Sequence, residues 1–168
     1  MGVQGSGKST IAALIADRIH GTYIDGDRLH SDENVARMAA GIPLTDADRE
    51  PWLRLIGSRL EGGRGAGIVI VCSALKRRYR DLLRAEAPRT VFVHLHGSRE
   101  LIQARVEARS HEYMPPSLLA SQFATLEPLA DDEDGVVVDV SLSPAAIVDR
   151  VMDYLTPGTT TTGPSLHD

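Results

Sequence analysis

Cysteine is nearly absent from this chain: Cys72 stands alone among 168 residues. One thiol cannot close an internal disulfide, so a packed core must hold the fold, and a reducing cytoplasm is the expected location. Positive charge is not in excess. The net charge of -5 argues against a general nucleic-acid binder, which is usually basic. No apolar run approaches the roughly 20 residues that span a bilayer, and no signal peptide is evident, so no membrane partner is expected. His20, His94, His96 and His167 lack ligand spacing, which leaves no zinc cluster. Lysine is scarce as well: of 18 basic residues only Lys8 and Lys76 are lysine. What remains, 42% hydrophobic and 24% charged, is ordinary for a soluble globular protein of one domain with a real core.

The densest signal lies at the start. Gly2, Gly7, Lys8 and Ser9 complete the phosphate-loop pattern G-x-x-x-x-G-K-[ST]. Gly2, Gly5 and Gly7 admit backbone conformations closed to other residues, so N–H groups along Gly2, Gln4, Gly5, Ser6, Gly7, Lys8, Ser9 and Thr10 can wrap a phosphate chain. Lys8 adds a compact charge for the β- and γ-phosphates, and the Ser9 hydroxyl can ligate Mg2+. Ile11, Leu14, Ile15 and Ile19 recur at helical spacing, so a helix follows with its positive end toward the same phosphates. The strand that ordinarily feeds such a loop is missing, since only Met1 precedes Gly2. A start placed too late, or another segment filling the gap, would account for it; the first is the expectation.

Further along, Thr22-Tyr23-Ile24 reads as a strand with Asp25-Gly26-Asp27 at its carboxyl end, where parallel sheets bind ligands. One carboxylate can hold Mg2+ and the other accept a proton from a hydroxyl; a polar turn is the plainer alternative. Ser31 caps a short helix to Ala40, and Thr45 to Asp48 resembles a capping box for a helix to about Leu60. Pro51 falls inside that helix and is expected to kink it or delay its regular part. Arg49 near its start either meets a substrate anion or is a plain solvated arginine or an ion-pair partner of Asp46 or Asp48. The run Ile68 to Cys72 predicts a strand buried on both faces, followed by Lys76 and a basic helix, Arg77 to Ala85. Strands over 90–95 and 135–140, and helices over 99–109, 117–126 and 143–155, complete the pattern. Arg105 and Arg109 share a helix face beside a loop-like segment, which suits a lid over ATP, with a plain helix connection as the alternative. Residues 156–168 are Thr/Gly/Pro-rich and expected to be disordered.

Alternating helices and buried strands predict an α/β domain over 1–155 with a parallel sheet flanked by helices. Phosphate loop, carboxylate pair and arginine-flanked lid together predict a small-molecule phosphotransferase rather than a regulatory GTPase, whose Asn-Lys-x-Asp is missing. A nucleotide-binding module without catalysis is the alternative from another class.

Specific residues narrow this further. Asp25-Gly26-Asp27, Leu29-His30, Asn34, Met38, Gly41, Pro43-Leu44, Asp46, Asp48-Arg49, Trp52-Leu53, Cys72 to Lys76, Tyr79-Arg80, Gln122-Phe123 and Leu126-Glu127 resemble the small bacterial gluconokinases over about residues 1–140. The resemblance implies a three-layer P-loop NTPase fold, nucleoside-monophosphate-kinase-like, with a lid at about 106–118. It implies ATP-dependent phosphorylation of D-gluconate to 6-phosphogluconate with Mg2+, by a homodimer. Lys8 and the loop would then hold ATP with Arg105 and Arg109, Ser9 and Asp25 would hold Mg2+, and Asp27 would be the base. His30, Arg49, Lys76 and Arg80 are the candidates for the gluconate carboxylate and hydroxyls. Kinases for shikimate or adenylylsulfate would share the loop and the carboxylate pair. Ser110 to Tyr113 is less like the family's lid.

Overall fold

The computed structural model describes residues 1–108 and 116–156. Local chemistry sets most of the element boundaries. Helix α1 (Lys8–Arg18) emerges directly from the phosphate loop. The Ser31 hydroxyl caps α2 (Asp32–Ala39) by accepting the Asn34 N–H. A complete capping box between Thr45 and Asp48 opens α3 (Asp46–Gly62). Pro51 lies inside α3 without delaying it; the helix forgoes one backbone bond there and continues. Helix α4 spans Arg77–Glu86, and α5 (Arg99–Glu107) is capped by Ser98. Helix α6 spans Pro116–Thr125, and α7 (Pro144–Leu155) combines a Ser143 cap with a first-turn proline.

The strands are β1 (Thr22–Asp25), β2 (Ile68–Val71), β3 (Phe92–His96) and β4 (Gly135–Asp139). β1 pairs in parallel with β2, Thr22 opposite Ile68 through Asp25 opposite Val71. β3 pairs in parallel with β4, Phe92 opposite Gly135 through His96 opposite Asp139. The two pairs do not join as a continuous sheet. Met1 and Gly2 lie between them at one end. The Met1 ammonium donates to Val93 O, Leu95 N–H donates to Met1 O at 3.0 Å, and Gly2 N–H donates to Ser73 O at 3.1 Å. Burial of that ammonium pushes its pKa down to about 5.

Away from Met1 the gap is an apolar cavity of about 370 Å³, lined among others by Ile15, Val69, Ile70, Val91 and Val93. Ile68, Val69 and Ile70 are accordingly half-buried, where their sequence predicts burial on both faces. Two cores flank the strands. Val3, Ile11, Ile15, Leu95, Ile102, Leu119 and Val151 form one, and Trp52, Leu53, Ile56, Tyr79, Leu83 and Phe92 form the other. Helices therefore cover both faces, giving three layers. No helix among the described residues is long and apolar enough to cross a membrane. The predicted lid coincides in part with 109–115, and the predicted disordered tail is 157–168 apart from Thr156; both of these stretches lie outside the described residues.

Candidate active site

The phosphate loop is assembled from three directions. Gly5 and Gly7 occupy left-handed backbone, with φ of 83° and 90°. A Cβ on Gly5 would come within 2.5 Å of Val106 Cγ2, so α5 packs directly on the loop. Ser73, just past β2, accepts the Gly2 N–H, and Gln122 on α6 accepts the Gln4 N–H through Oε1 at 2.6 Å. Within the loop, Val3 O accepts both the Ser6 N–H (3.3 Å) and the Lys8 ammonium (2.9 Å).

The start of α1 differs chemically from those of α2, α3, α4, α5 and α7. Hydroxyls cap α2, α3, α5 and α7, and the Glu127 carboxylate accepts the Arg77 N–H that opens α4. The N-cap of α1 is Gly7, with no side-chain acceptor and no acidic residue in the first turn. Ser6 Oγ is buried beside it with no hydrogen-bond partner among the described residues. Uncapped N–H groups, an orphaned hydroxyl and the Lys8 ammonium fit a phosphate chain. Ser9 and Thr10 are exposed at the same point.

The carboxylate pair falls where the sequence expects it, with one refinement. Asp25 ends β1, and Asp27 sits in a 3-10 turn over Gly26–Leu29 that Asp25 caps, its Oδ1 accepting the Asp27 N–H at 3.1 Å. Gly26 is obligatory there, since a Cβ would lie 2.2 Å from Val71 O. Trp52 holds the turn from α3, its indole N–H donating to Gly26 O at 2.7 Å. The His30 ring stacks on Trp52 at 4.0 Å between centroids. Burial lowers the His30 pKa below the usual imidazole value, so the ring is neutral at neutral pH. Beside it opens a cleft of about 550 Å³ lined by Leu29, His30, Asn34, Asp48, Trp52 and Leu55.

Arg49 reaches this neighbourhood as well. Its charge is felt by His30, Tyr79 and Asp48, yet its half-buried side chain makes no hydrogen bond or ion pair among the described residues. The ion pair of Arg49 with Asp46 or Asp48, one of the alternatives the sequence leaves open, is therefore not formed. Asp48 instead closes the capping box and meets Arg37 at 3.4 Å, and Asp46 gathers Lys76 (3.0 Å), Arg78 (2.7 Å) and the Tyr79 hydroxyl. The Tyr79 hydrogen bond, then Lys76, holds the Asp46 carboxyl below its usual range.

One arginine sits differently from its sequence assignment. Arg80, a candidate for gluconate, is 0% exposed, with every donor committed. Its Nε and Nη2 each meet Glu133 at 2.7 Å, and its Nη groups also donate to the carbonyls of Ala74, Leu75, Glu127 and Pro128. It therefore leaves the substrate set: a guanidinium without a spare N–H or access to solvent cannot meet a ligand. Arg105 donates to Val140 O at 2.6 Å, next to the end of β4, and Arg109 lies outside the described residues. The sequence pattern gave no site role to Trp52, Asp46 or Gln122, although all three lie in the stretches that carried the family resemblance.

A parallel α/β fold with a phosphate loop, an uncapped helix start and paired carboxylates at the carboxyl end of β1 is that of an ATP-dependent small-molecule kinase. The family model described as shikimate kinase matches residues 4–156. The chain is 40% identical over 161 residues to the thermoresistant gluconokinase of Escherichia coli K12, covering 94% of this chain and 92% of that one. It is 42% identical over 158 residues to the gluconokinase of Gluconobacter oxydans 621H, with 92% and 88% covered. A gluconokinase structure from Sinorhizobium meliloti 1021 superposes with a TM-score of 0.81 at 45% identity, covering 92% of this chain and 88% of that one. A sugar kinase structure from Janibacter sp. HTCC2649 gives 0.85 at 46%, with 92% and 91% covered. Within the kinases of this fold, the chain belongs to the gluconokinase family.

Proposed function

We propose that the protein transfers the γ-phosphoryl group of ATP to the 6-hydroxyl of D-gluconate, giving 6-phosphogluconate and ADP. The observation that carries the acceptor is Arg49: a half-buried guanidinium beside His30 with no carboxylate of its own among the described residues. An acceptor ending in a carboxylate supplies the missing partner, and a planar guanidinium suits it. Neutral His30 can accept a hydrogen bond from one of the sugar-acid hydroxyls. Lys76 is a second cation for the acid, shared with Asp46.

Chemistry follows from position. The loop N–H groups and Lys8 bind the β- and γ-phosphates. Asp27 orients the 6-hydroxyl and takes its proton as the oxygen bonds to the γ-phosphorus, and the bond to the ADP oxygen breaks. Ser9 and Asp25 would hold Mg2+, which when bound supplies charge neutralisation across the phosphates. Arg105 and Arg109 would add charge from the lid side. The family resemblance also supports a homodimer and a cytoplasmic location, in keeping with the reduced, buried Cys72, whose pKa burial pushes up to about 11.

Arg49→Ala tests the acceptor assignment. Loss of a charge-assisted hydrogen bond predicts a KM for gluconate raised about 10- to 100-fold, with the KM for ATP within twofold. Steady-state titration of each substrate reads both, and an unchanged gluconate KM removes Arg49 from the site.

A further inference from the structure

The phosphate loop is tied to the rest of the chain at few points, and one of them is a side chain from a distant helix. Gln122 on α6 accepts the Gln4 N–H at 2.6 Å, across 118 residues of sequence. The supporting helix is firmly seated. Leu119 is buried in the same core as Val3, Phe123 and Leu126 pack against that core, and Glu127 N–H donates to Leu75 O at 2.8 Å. At the next loop residue, α5 presses Val106 and Ile102 against Gly5. Two consecutive loop residues are thus fixed by two different helices, one through shape and one through a hydrogen bond.

We propose that Gln122 is a positioning residue of the nucleotide site. It touches neither phosphate nor acceptor. Its carboxamide oxygen holds the Gln4 peptide so that the bend at Gly5 and the N–H groups beyond it stay aimed at the phosphates before nucleotide arrives. Without that acceptor the loop samples other conformations, and binding must order it, which weakens affinity. The proposal rests on nucleotide binding at the phosphate loop and adds a residue that the loop motif does not contain.

Calorimetric titration of ADP with Mg2+ into the wild-type protein, Gln122→Met and Gln122→Asn tests it. Methionine keeps the length and packing of the side chain but loses the acceptor; asparagine keeps the amide but falls one methylene short. Both variants are expected to bind ADP about tenfold more weakly, the scale of one lost hydrogen bond, because the part-buried Gln4 N–H turns to water in the free loop and must be drawn back on binding. Gluconate affinity and the thermal midpoint should stay near wild type, which a merely structural role would not combine with weakened ADP. Either variant binding ADP within twofold of wild type overturns the proposal. Wild-type protein that binds no ADP would instead sink the nucleotide assignment beneath it.

Discussion

Asp27→Asn is expected to lower gluconate-dependent turnover by about 10²- to 10⁴-fold while leaving Mg-ATP affinity unchanged. Asparagine preserves the shape of the 3-10 turn, and the Asp27 N–H bond to Asp25 survives because it uses the backbone. Only the ability to accept a proton is lost. Phosphoryl transfer through a loose transition state asks less of a base than of positioning, so the lower half of that range is the closer expectation. Asp25→Asn separates the two carboxylates. With Asp25 facing the metal, its replacement should raise the Mg2+ requirement and be milder at saturating Mg2+. Turnover near wild type in Asp27→Asn would remove it as base, and a more severe loss in Asp25→Asn would exchange the roles.

The second large effect is on stability. Arg80→Met should unfold the chain at much lower temperature, because Glu133, whose side chain is 0% exposed, keeps only Arg84 and the Ala130 N–H as partners, and the carbonyls of Ala74, Glu127 and Pro128 lose the Arg80 donors. Breaking a buried pair from one side costs about 3–5 kcal/mol. For a domain of this size that lowers the thermal midpoint by roughly 6–20 °C. Replacing both partners, Arg80→Met with Glu133→Leu, should recover part of the loss but not all, since the carbonyls still lack donors. The hydrogen bonds from Arg80 first, opposed by burial, hold the Glu133 carboxyl down to about 2. A carboxyl depressed in the folded state contributes fully above its ordinary value of about 4.3 and loses that contribution as pH falls toward 2. Thermal melts across that window read it. A normal midpoint combined with a raised gluconate KM in Arg80→Met would return Arg80 to the substrate site.

The contrast between Arg80 and Arg49 shows how far residue patterns reach. Both belong to the same family-like stretches, and both are arginines near strand or helix ends. Only packing separates them, because the loop over 127–133 folds back to meet Arg80, and no periodicity in the sequence announces a contact across 53 residues. Elements were easier. The caps at Ser31, Thr45, Ser98 and Ser143 each carry a local hydrogen bond, so helix starts could be read within a residue or so. The phosphate loop and the Asp25-Gly26-Asp27 turn were legible because glycine is required at fixed offsets. Trp52 was visible as a single tryptophan, but its bond to Gly26 O and its stack on His30 join residues that only the tertiary fold brings together. The burial of β2 was overstated for a related reason: a continuous apolar run says nothing about whether a neighbour occupies the next position in the sheet.

The most direct measurement is ADP release by the purified protein with Mg-ATP, alone and with D-gluconate, shikimate or adenylylsulfate as acceptor. The structure and the family together predict release that depends on gluconate, with the other two acceptors at the level of ATP alone. Release driven by shikimate or adenylylsulfate and not by gluconate, or tight nucleotide binding without transfer to any acceptor, would contradict the assignment.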